Sequence, residues 1–323
     1  MGTIINPKKV AVIGCGFVGS ATAFTLMQSR LFSEMALLDI DRQKAEGEAQ
    51  DIAHGIPFAG PMKLYAGDYD DIADAAIVII TAGANQKPGE TRLELVQKNV
   101  GIYRGILTEL RARSYSGILL VVSNPVDILT YTANCLSGLP EHRVIGSGTV
   151  LDTSRLRYLL SQHTGVDPRN VHTYVLGEHG DTELPAWSLT SIAGMGMDEY
   201  CSLCASCQGS LSQTVRAEFD DKVRNAAYRI IEGKGATFYA VALAVRRIVE
   251  AILRDEQSIL TVSSLLTGQY GLDGVCLSLP CIVGVNGVEQ VLPIHLSDEE
   301  MAQLRTSADA IRAAIRLMDE PVE

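Results

Sequence analysis

Val10-Ala11-Val12-Ile13-Gly14-Cys15-Gly16-Phe17-Val18-Gly19 is the stretch on which the reading of this 323-residue chain turns. Four apolar, mostly β-branched residues run straight into a glycine turn, and from Phe17 to about Gln28 the pattern becomes helical. Gly14 permits the tight turn. Gly16 lets a diphosphate come close to the backbone, and Gly19 lets the helix pack close to the strand. The first turn of the helix, at Phe17 and Val18, then turns its unpaired N–H groups and positive dipole end toward the phosphates. Glycine spacing alone is weak evidence. Here a second strand pattern follows at residues 35–40, with Asp39 near its end, 20 residues after Gly19. Strand, glycine turn, helix and acid together make the dinucleotide-binding fingerprint.

Asp39 also selects the dinucleotide. Its carboxylate can accept bonds from both ribose hydroxyls and would repel a 2′-phosphate. Arg42 lies close enough to raise the phosphorylated alternative, but Asp41 stands beside it, and NAD is the expected cofactor.

Farther along, residues 77–80 and 118–122 are further apolar strand patterns, with a helical stretch at 92–113 between them. Continuous apolar strands separated by helices imply a parallel sheet covered on both faces. The second half changes character. Residues 276–279, 282–285 and 288–292 are closely spaced strand patterns, and Asn286-Gly287 between two of them marks a hairpin. A final helix is announced by Ser297 and Glu300, which form a capping box, and by the apolar face Met301, Leu304, Ala308, Ile311, Ile315, Met318. The expected fold is α/β. A Rossmann-type, doubly wound parallel sheet occupies residues 1–147, and an α+β substrate domain with antiparallel strands occupies residues 148–323.

Length agrees with two domains at about 150 residues each. The chain carries 27 Lys and Arg against 38 Asp and Glu, a net charge of −11. No long basic run offsets this, so nucleic acid and anionic membranes are not expected partners. The longest apolar runs are too short to span a bilayer, and the first residues do not read as a signal peptide, so a cytoplasmic protein is expected. Seven cysteines, an odd number, are then expected to be reduced. Cys201, Cys204 and Cys207 share a helix-like spacing, but neither a fourth cysteine followed by proline nor a nearby histidine completes a ligand set, and no metal is expected. Cys15 lies inside the glycine turn, where a bulky thiol adduct would block the diphosphate.

Three motifs carry the remaining chemistry: Ala82-Gly83-Ala84-Asn85-Gln86-Lys87-Pro88-Gly89-Glu90-Thr91-Arg92, Leu151-Asp152-Thr153-Ser154-Arg155 and Gly177-Glu178-His179-Gly180-Asp181. An imidazole titrates near neutral pH, and glycine-flanked His179 suits proton exchange with a hydroxyl. Asp152 and Arg155 are one helical turn apart and can face one cleft, where a guanidinium grips a carboxylate through two parallel bonds.

With Gly14–Gly19 and Ser123-Asn124-Pro125, these motifs run in an order that closely resembles the L-lactate dehydrogenase branch of the lactate/malate dehydrogenase family, from about Lys8 to the final helix. The resemblance implies hydride transfer between NAD and a 2-hydroxy acid, pyruvate/L-lactate being the expected pair. It implies that His179 is the acid/base group and Asp152 its orienting partner. Arg155 would hold the substrate carboxylate, Arg92 would swing in on a mobile lid to polarise the C2 oxygen, and Asn124 would bond that oxygen. Thr237 would line the pocket, with Val241 behind the nicotinamide. Thr81, Ala82, Gly83, Val122 and Asn124 join the glycine turn as cofactor contacts. Gln86 stands where malate dehydrogenases carry an arginine. A neutral amide leaves the second carboxylate of oxaloacetate unpaired in a closed site, which favours pyruvate. Arg157 and His172 match positions that bind fructose 1,6-bisphosphate between subunits in bacterial relatives, and a homotetramer is implied.

Overall fold

Alternate residues of β1 (Asn6–Ile13) enter opposite apolar layers: Val10 and Val12 one, Ala11 and Ile13 the other. The same division holds in β4 (Ala75–Ile80) and β5 (Ile118–Val121), and nearly all of these residues are fully buried. A strand apolar on both sides needs cover on both sides, which is the physical content of the continuous apolar runs. The computed structural model describes residues 4–84, 92–204, 207 and 211–319.

Helices provide the cover. On one face lie Arg92–Ala112, Val126–Leu136 and Asp298–Asp319, contributing Tyr103, Leu107, Leu129 and Leu304. On the other lie Phe17–Ser29, Arg42–His54 and Tyr239–Leu253, contributing Leu26, Met27, Ile52 and Ile248. With β2 (Glu34–Leu38), β3 (Lys63–Ala66) and β6 (Val144–Gly146), the parallel strands stand in the order β3-β2-β1-β4-β5-β6. The order reverses beside β1, so the ends of β1 and β4 part there and leave the crevice in which such sheets bind ligands.

The antiparallel meander of the second half does not form a sheet of its own. Ser258–Thr267 pairs with β6 through Ser263 and Gly146, then with Asp273–Gly284, which pairs with Gly287–Val291. The described residues thus carry one nine-stranded sheet across the whole molecule. The first strand of this meander escaped the sequence reading, and the patterns at 276–279 and 282–285 are one strand. Pro280 lies inside it. Its carbonyl accepts from Leu292, just past Val291, where the neighbouring ladder runs out. A missing N–H on that side therefore costs no ladder bond.

Before the histidine loop the chain forms two short strands, Val171–His172 and Val175–Leu176, which pair with Ser191–Ile192 and Leu184–Pro185. Thr173 lies between them, its hydroxyl bonded to Thr190 at 2.7 Å. Gly287 turns the hairpin at φ 104°, and Ser297 and Glu300 bond reciprocally as a capping box. Among the described residues no helix is long and apolar enough to cross a membrane.

Candidate active site

The glycine turn is shaped by backbone contacts. Gly14 has φ 100°, and a Cβ there would stand 2.5 Å from the Ala82 nitrogen; one on Gly19 would stand 1.8 Å from the Gly14 oxygen. Only glycine fits either place. At Gly16, by contrast, no described atom lies within 4 Å of a built Cβ, and the helix begins there without a side-chain cap. An open cradle lined by unpaired N–H groups is the shape and charge a diphosphate requires. Asp39 closes the turn from the side, accepting from the Cys15 N–H at 2.7 Å and from the Asp41 N–H at 3.0 Å. The Thr81 hydroxyl donates to the Gly14 carbonyl at 2.8 Å, so it clasps the turn. Phe17 is exposed and stacks on Phe238, the residue after Thr237, while Val18 and Val241 pack against the apolar layer.

The Cys15 side chain lies outside this cradle. It is buried, with Sγ 3.6 Å from the Leu38 carbonyl, and burial, then the Asp39 charge, pushes its thiol up to about 12. Alkylation at this position is therefore not a route to blocking the diphosphate.

Beyond the turn, the ends of β4 and β5 are tied together. Asn99, fully buried, accepts from the Ala84 N–H at 2.7 Å and donates to the Asn124 carbonyl at 3.0 Å. The Ser123 hydroxyl donates to Ala82, and Val122 is buried beneath. Gly83 packs near Asn99 and Ser123. The Asn124–Pro125 bond is cis, and the Asn124 side chain is exposed.

Across the crevice stands the acid–base cluster. The helix Val150–Thr164 supplies Asp152 and Arg155 from one face, as their spacing required. Asp152 is 1% exposed and uses both oxygens: one accepts from His179 Nδ1 at 2.6 Å, the other from Arg155 Nη1 at 2.5 Å. Burial opposes its charge, but His179 and Arg155 outweigh that and hold the carboxyl below the usual range. Burial likewise opposes an imidazolium, yet the Asp152 charge and hydrogen bond raise His179 to about 9. An ionised Asp152 makes Nδ1 the donor and leaves Nε2 for a ligand. The His179 side chain is 23% exposed, enough to reach the crevice. Arg155 keeps two further guanidinium nitrogens beyond the ion pair that the sequence did not disclose.

Three supporting residues were missed. Asp127, in the first turn of Val126–Leu136, accepts from the His179 backbone N–H at 2.7 Å and from the Ser263 hydroxyl at 2.6 Å. Burial pushes its carboxyl up to about 6. Ser307 accepts from the Glu178 N–H at 2.6 Å, so the final helix also fixes the histidine loop. Glu183 is 4% exposed beside His179. The available signal was an acid inside the apolar run Val126-Asp127-Ile128-Leu129 and a second acid four residues beyond His179.

Gln86 lies outside the described residues, as does the segment of the expected lid. Arg92 is described only as the first backbone position of Arg92–Ala112. Arg157 and His172 sit on packed neighbouring elements, the helix Val150–Thr164 and the strand Val171–His172. His172 is exposed, while Arg157 is partly buried with Nε unpartnered among the described residues. Cys201 and Cys207 are buried in a third apolar layer with Leu156, Leu160 and Phe219.

A dinucleotide cradle facing a buried carboxylate–imidazole pair defines a nicotinamide-dependent oxidoreductase, and the comparisons agree. Residues 8–146 match the NAD-binding domain of lactate/malate dehydrogenases, and residues 149–321 match their α/β C-terminal domain. The chain belongs to the lactate/malate dehydrogenase family and is an NAD-dependent enzyme. It is 59% identical to an L-lactate dehydrogenase of Acetivibrio thermocellus, covering 97% of this chain and 98% of that one. It is 58% identical to L-lactate dehydrogenase 1 of Clostridium acetobutylicum, over 95% and 97%. Its fold superposes with a TM-score of 0.93 on a lactate dehydrogenase from a Medee basin deep-sea metagenome library, at 42% identity over 99% and 100% of the two chains. The minor L-lactate dehydrogenase of Enterococcus mundtii gives 0.92 at 42% identity, over 96% and 98%.

Proposed function

We propose that the chain is an L-lactate dehydrogenase interconverting pyruvate and L-lactate, residues 1–147 holding NAD and residues 148–323 supplying the substrate chemistry. The observation that carries this reading is the Asp152 carboxylate joined to both His179 and Arg155, which puts a proton donor and a carboxylate grip in one place. Gly14, Gly16, Phe17, Val18, Gly19, Asp39, Thr81, Ala82, Gly83, Val122 and Asn124 hold the cofactor. When bound there, NAD would supply a hydride acceptor for C2 of lactate, and NADH a hydride donor for pyruvate.

His179 Nε2 takes the C2 hydroxyl proton in the oxidative direction and gives it back in the reductive one. Asp152 fixes the ring and stabilises the imidazolium, and Arg155 binds the substrate carboxylate. Arg92 and Asn124 polarise the C2 oxygen, with Thr237 lining the pocket. Gln86 excludes the second carboxylate of oxaloacetate. The test is steady-state NADH oxidation against a panel of 2-oxo acids. Pyruvate should exceed oxaloacetate clearly in kcat/KM, and Gln86→Arg should shift the preference toward oxaloacetate. Comparable values for the two acids in the unaltered enzyme would refute the assignment of pyruvate.

A cytoplasmic homotetramer regulated by fructose 1,6-bisphosphate is a second part of the reading. It is favoured by Arg157, whose buried Nε has no described partner and whose charge is disfavoured first by burial. A two-fold axis would bring two Arg157 and two His172 to the two phosphates of one ligand. Titrating the bisphosphate at limiting pyruvate, at acid and neutral pH, should lower KM, and Arg157→Gln should abolish the response. A flat titration at both values removes the effector from the account.

A further inference from the structure

Glu183 is a buried acid that the reaction, as derived above, does not use. Its side chain is 4% exposed, and its Oε1 has no hydrogen-bond partner among the described residues. Its carboxylate, the Asp152 carboxylate and a His179 ring nitrogen each offer an atom within 4.8 Å of the others. Each Asp152 oxygen already accepts a bond, one from Arg155 and one from His179, and no hydrogen bond joins Asp152 to Glu183 among the described residues. Leaving a carboxyl in such a place is costly, and one built only for packing would be better replaced by an apolar residue.

The groups facing it are few. The helix Val150–Thr164 presents Asp152 and Arg155, and the histidine loop presents His179. The helix Gln213–Arg224 presents Arg224, whose Nη2 donates to the Glu183 carbonyl at 3.3 Å. Asp127 acts on His179 from the Val126–Leu136 side. Burial, and then the Asp152 charge, pushes the Glu183 carboxyl far above the ordinary range, while Arg155, Arg224 and a charged His179 pull it back. Its charge and that of the ring are therefore linked. Loss of the Glu183 proton to solvent puts a negative charge beside the imidazolium and makes the ring proton harder to remove.

We propose that Glu183 is a positioning residue that acts through His179: neutral while the cluster is fully protonated, it ionises as the pH rises and thereby keeps the proton on the imidazole over a wider pH range. The effect favours pyruvate reduction, which needs the imidazolium, over lactate oxidation, which needs the neutral ring. This rests on His179 being the acid/base group.

The experiment is the pH dependence of kcat/KM in both directions for the wild type, Glu183→Gln, Glu183→Asp and His179→Gln, with NADH affinity measured for each. Glu183→Gln keeps shape and removes the ionisation. It should move the alkaline fall in pyruvate reduction down by about half a pH unit or more, and raise lactate oxidation about threefold only in the alkaline interval where Glu183 is ionised and the ring still charged, with no change at or below neutrality. Glu183→Asp should restore part of the shift. A structural role would lower both directions by the same factor and leave the fall where it was, and that result overturns the proposal. Should Glu183→Gln fail to fold, the wild type alone decides. Acylation of His179 by diethyl pyrocarbonate, which needs the neutral ring, should follow a curve shallower than one proton, and a one-proton curve overturns the proposal. If His179→Gln retains turnover, the acid/base reading itself falls. If His179→Gln is inactive and the Glu183→Gln profile is unmoved, only the role of Glu183 falls.

Discussion

Around the glycine turn nearly every decisive contact is made by backbone; around His179 nearly every one is made by ionisable side chains. In the turn, Gly14 and Gly19 leave no room for a Cβ, and Gly16 leaves room for a ligand. In the cluster, Asp152 holds the imidazole and is itself held by Arg155 from the same helix, Glu183 lies beside the ring, and Asp127 holds the His179 backbone N–H from the helix Val126–Leu136. The turn binds because oriented N–H groups need no counter-charge of their own. The cluster works because a charged ring, costly to bury alone, is held by carboxylates whose positions decide how tightly it keeps its proton. Substitutions should therefore fail differently in the two regions: by shape in the turn, and by proton affinity and turnover in the cluster.

The largest expected effect is at His179. Loss of a general acid–base group costs about 10²–10⁴-fold. His179→Gln should lose that much in kcat/KM while NADH fluorescence titration gives an unchanged affinity. If NADH affinity falls in parallel, the two regions are not separable. Gly19→Ala is the converse. Its Cβ meets a backbone oxygen that cannot move aside, and the clash should cost roughly 3 kcal/mol. Thermal unfolding should show a lower Tm, and NADH binding should weaken more than kcat. A variant with native affinity would mean the turn is softer than its contacts indicate. Asp127→Ala tests the support of the histidine loop. It strands the His179 N–H and the Ser263 hydroxyl, at a cost of about 1–3 kcal/mol. Tm should fall and kcat should drop with little change in NADH affinity. The smallest effect is at Cys15. Iodoacetamide at neutral pH should leave NADH binding intact, because burial keeps that thiol protonated and covered.

The same contrast explains what could be read from the sequence. Gly14–Gly19 and Asp39 form one local pattern, and local patterns survive in a linear text. The strands β1, β2, β4 and β5 were legible because burial on both faces writes apolar residues at nearly every position, whereas β3, partly exposed, and β6, three residues long, were not. The strand Ser258–Thr267 was not, because Thr261, Ser263 and Ser264 are buried there and interrupt its apolar run. Asp152 and His179 were picked out by motif. Their contact spans 27 residues, and the Asp127–His179 contact spans 52, distances over which spacing carries no geometric information. Glu183 was invisible for another reason: an acid beside Asp181 in a glycine loop reads as a solvated charge, and only burial gives it meaning. Cys15 erred in the opposite direction, since its place in the turn does not reveal that its side chain points to the core.

The most direct test of the acid–base cluster is the pH profile of the unaltered enzyme in both directions. The Asp152 charge raises His179 from its ordinary 6.5 to about 9. The raised value means the proton is retained through neutral pH and lost as pH climbs past it. For pyruvate reduction, kcat/KM should stay level from neutrality and then fall through about 9, while lactate oxidation should rise over the same interval. A fall in pyruvate reduction centred near 6.5, or a lactate profile that does not mirror it, would contradict the assignment of a carboxylate-held imidazolium as the proton donor.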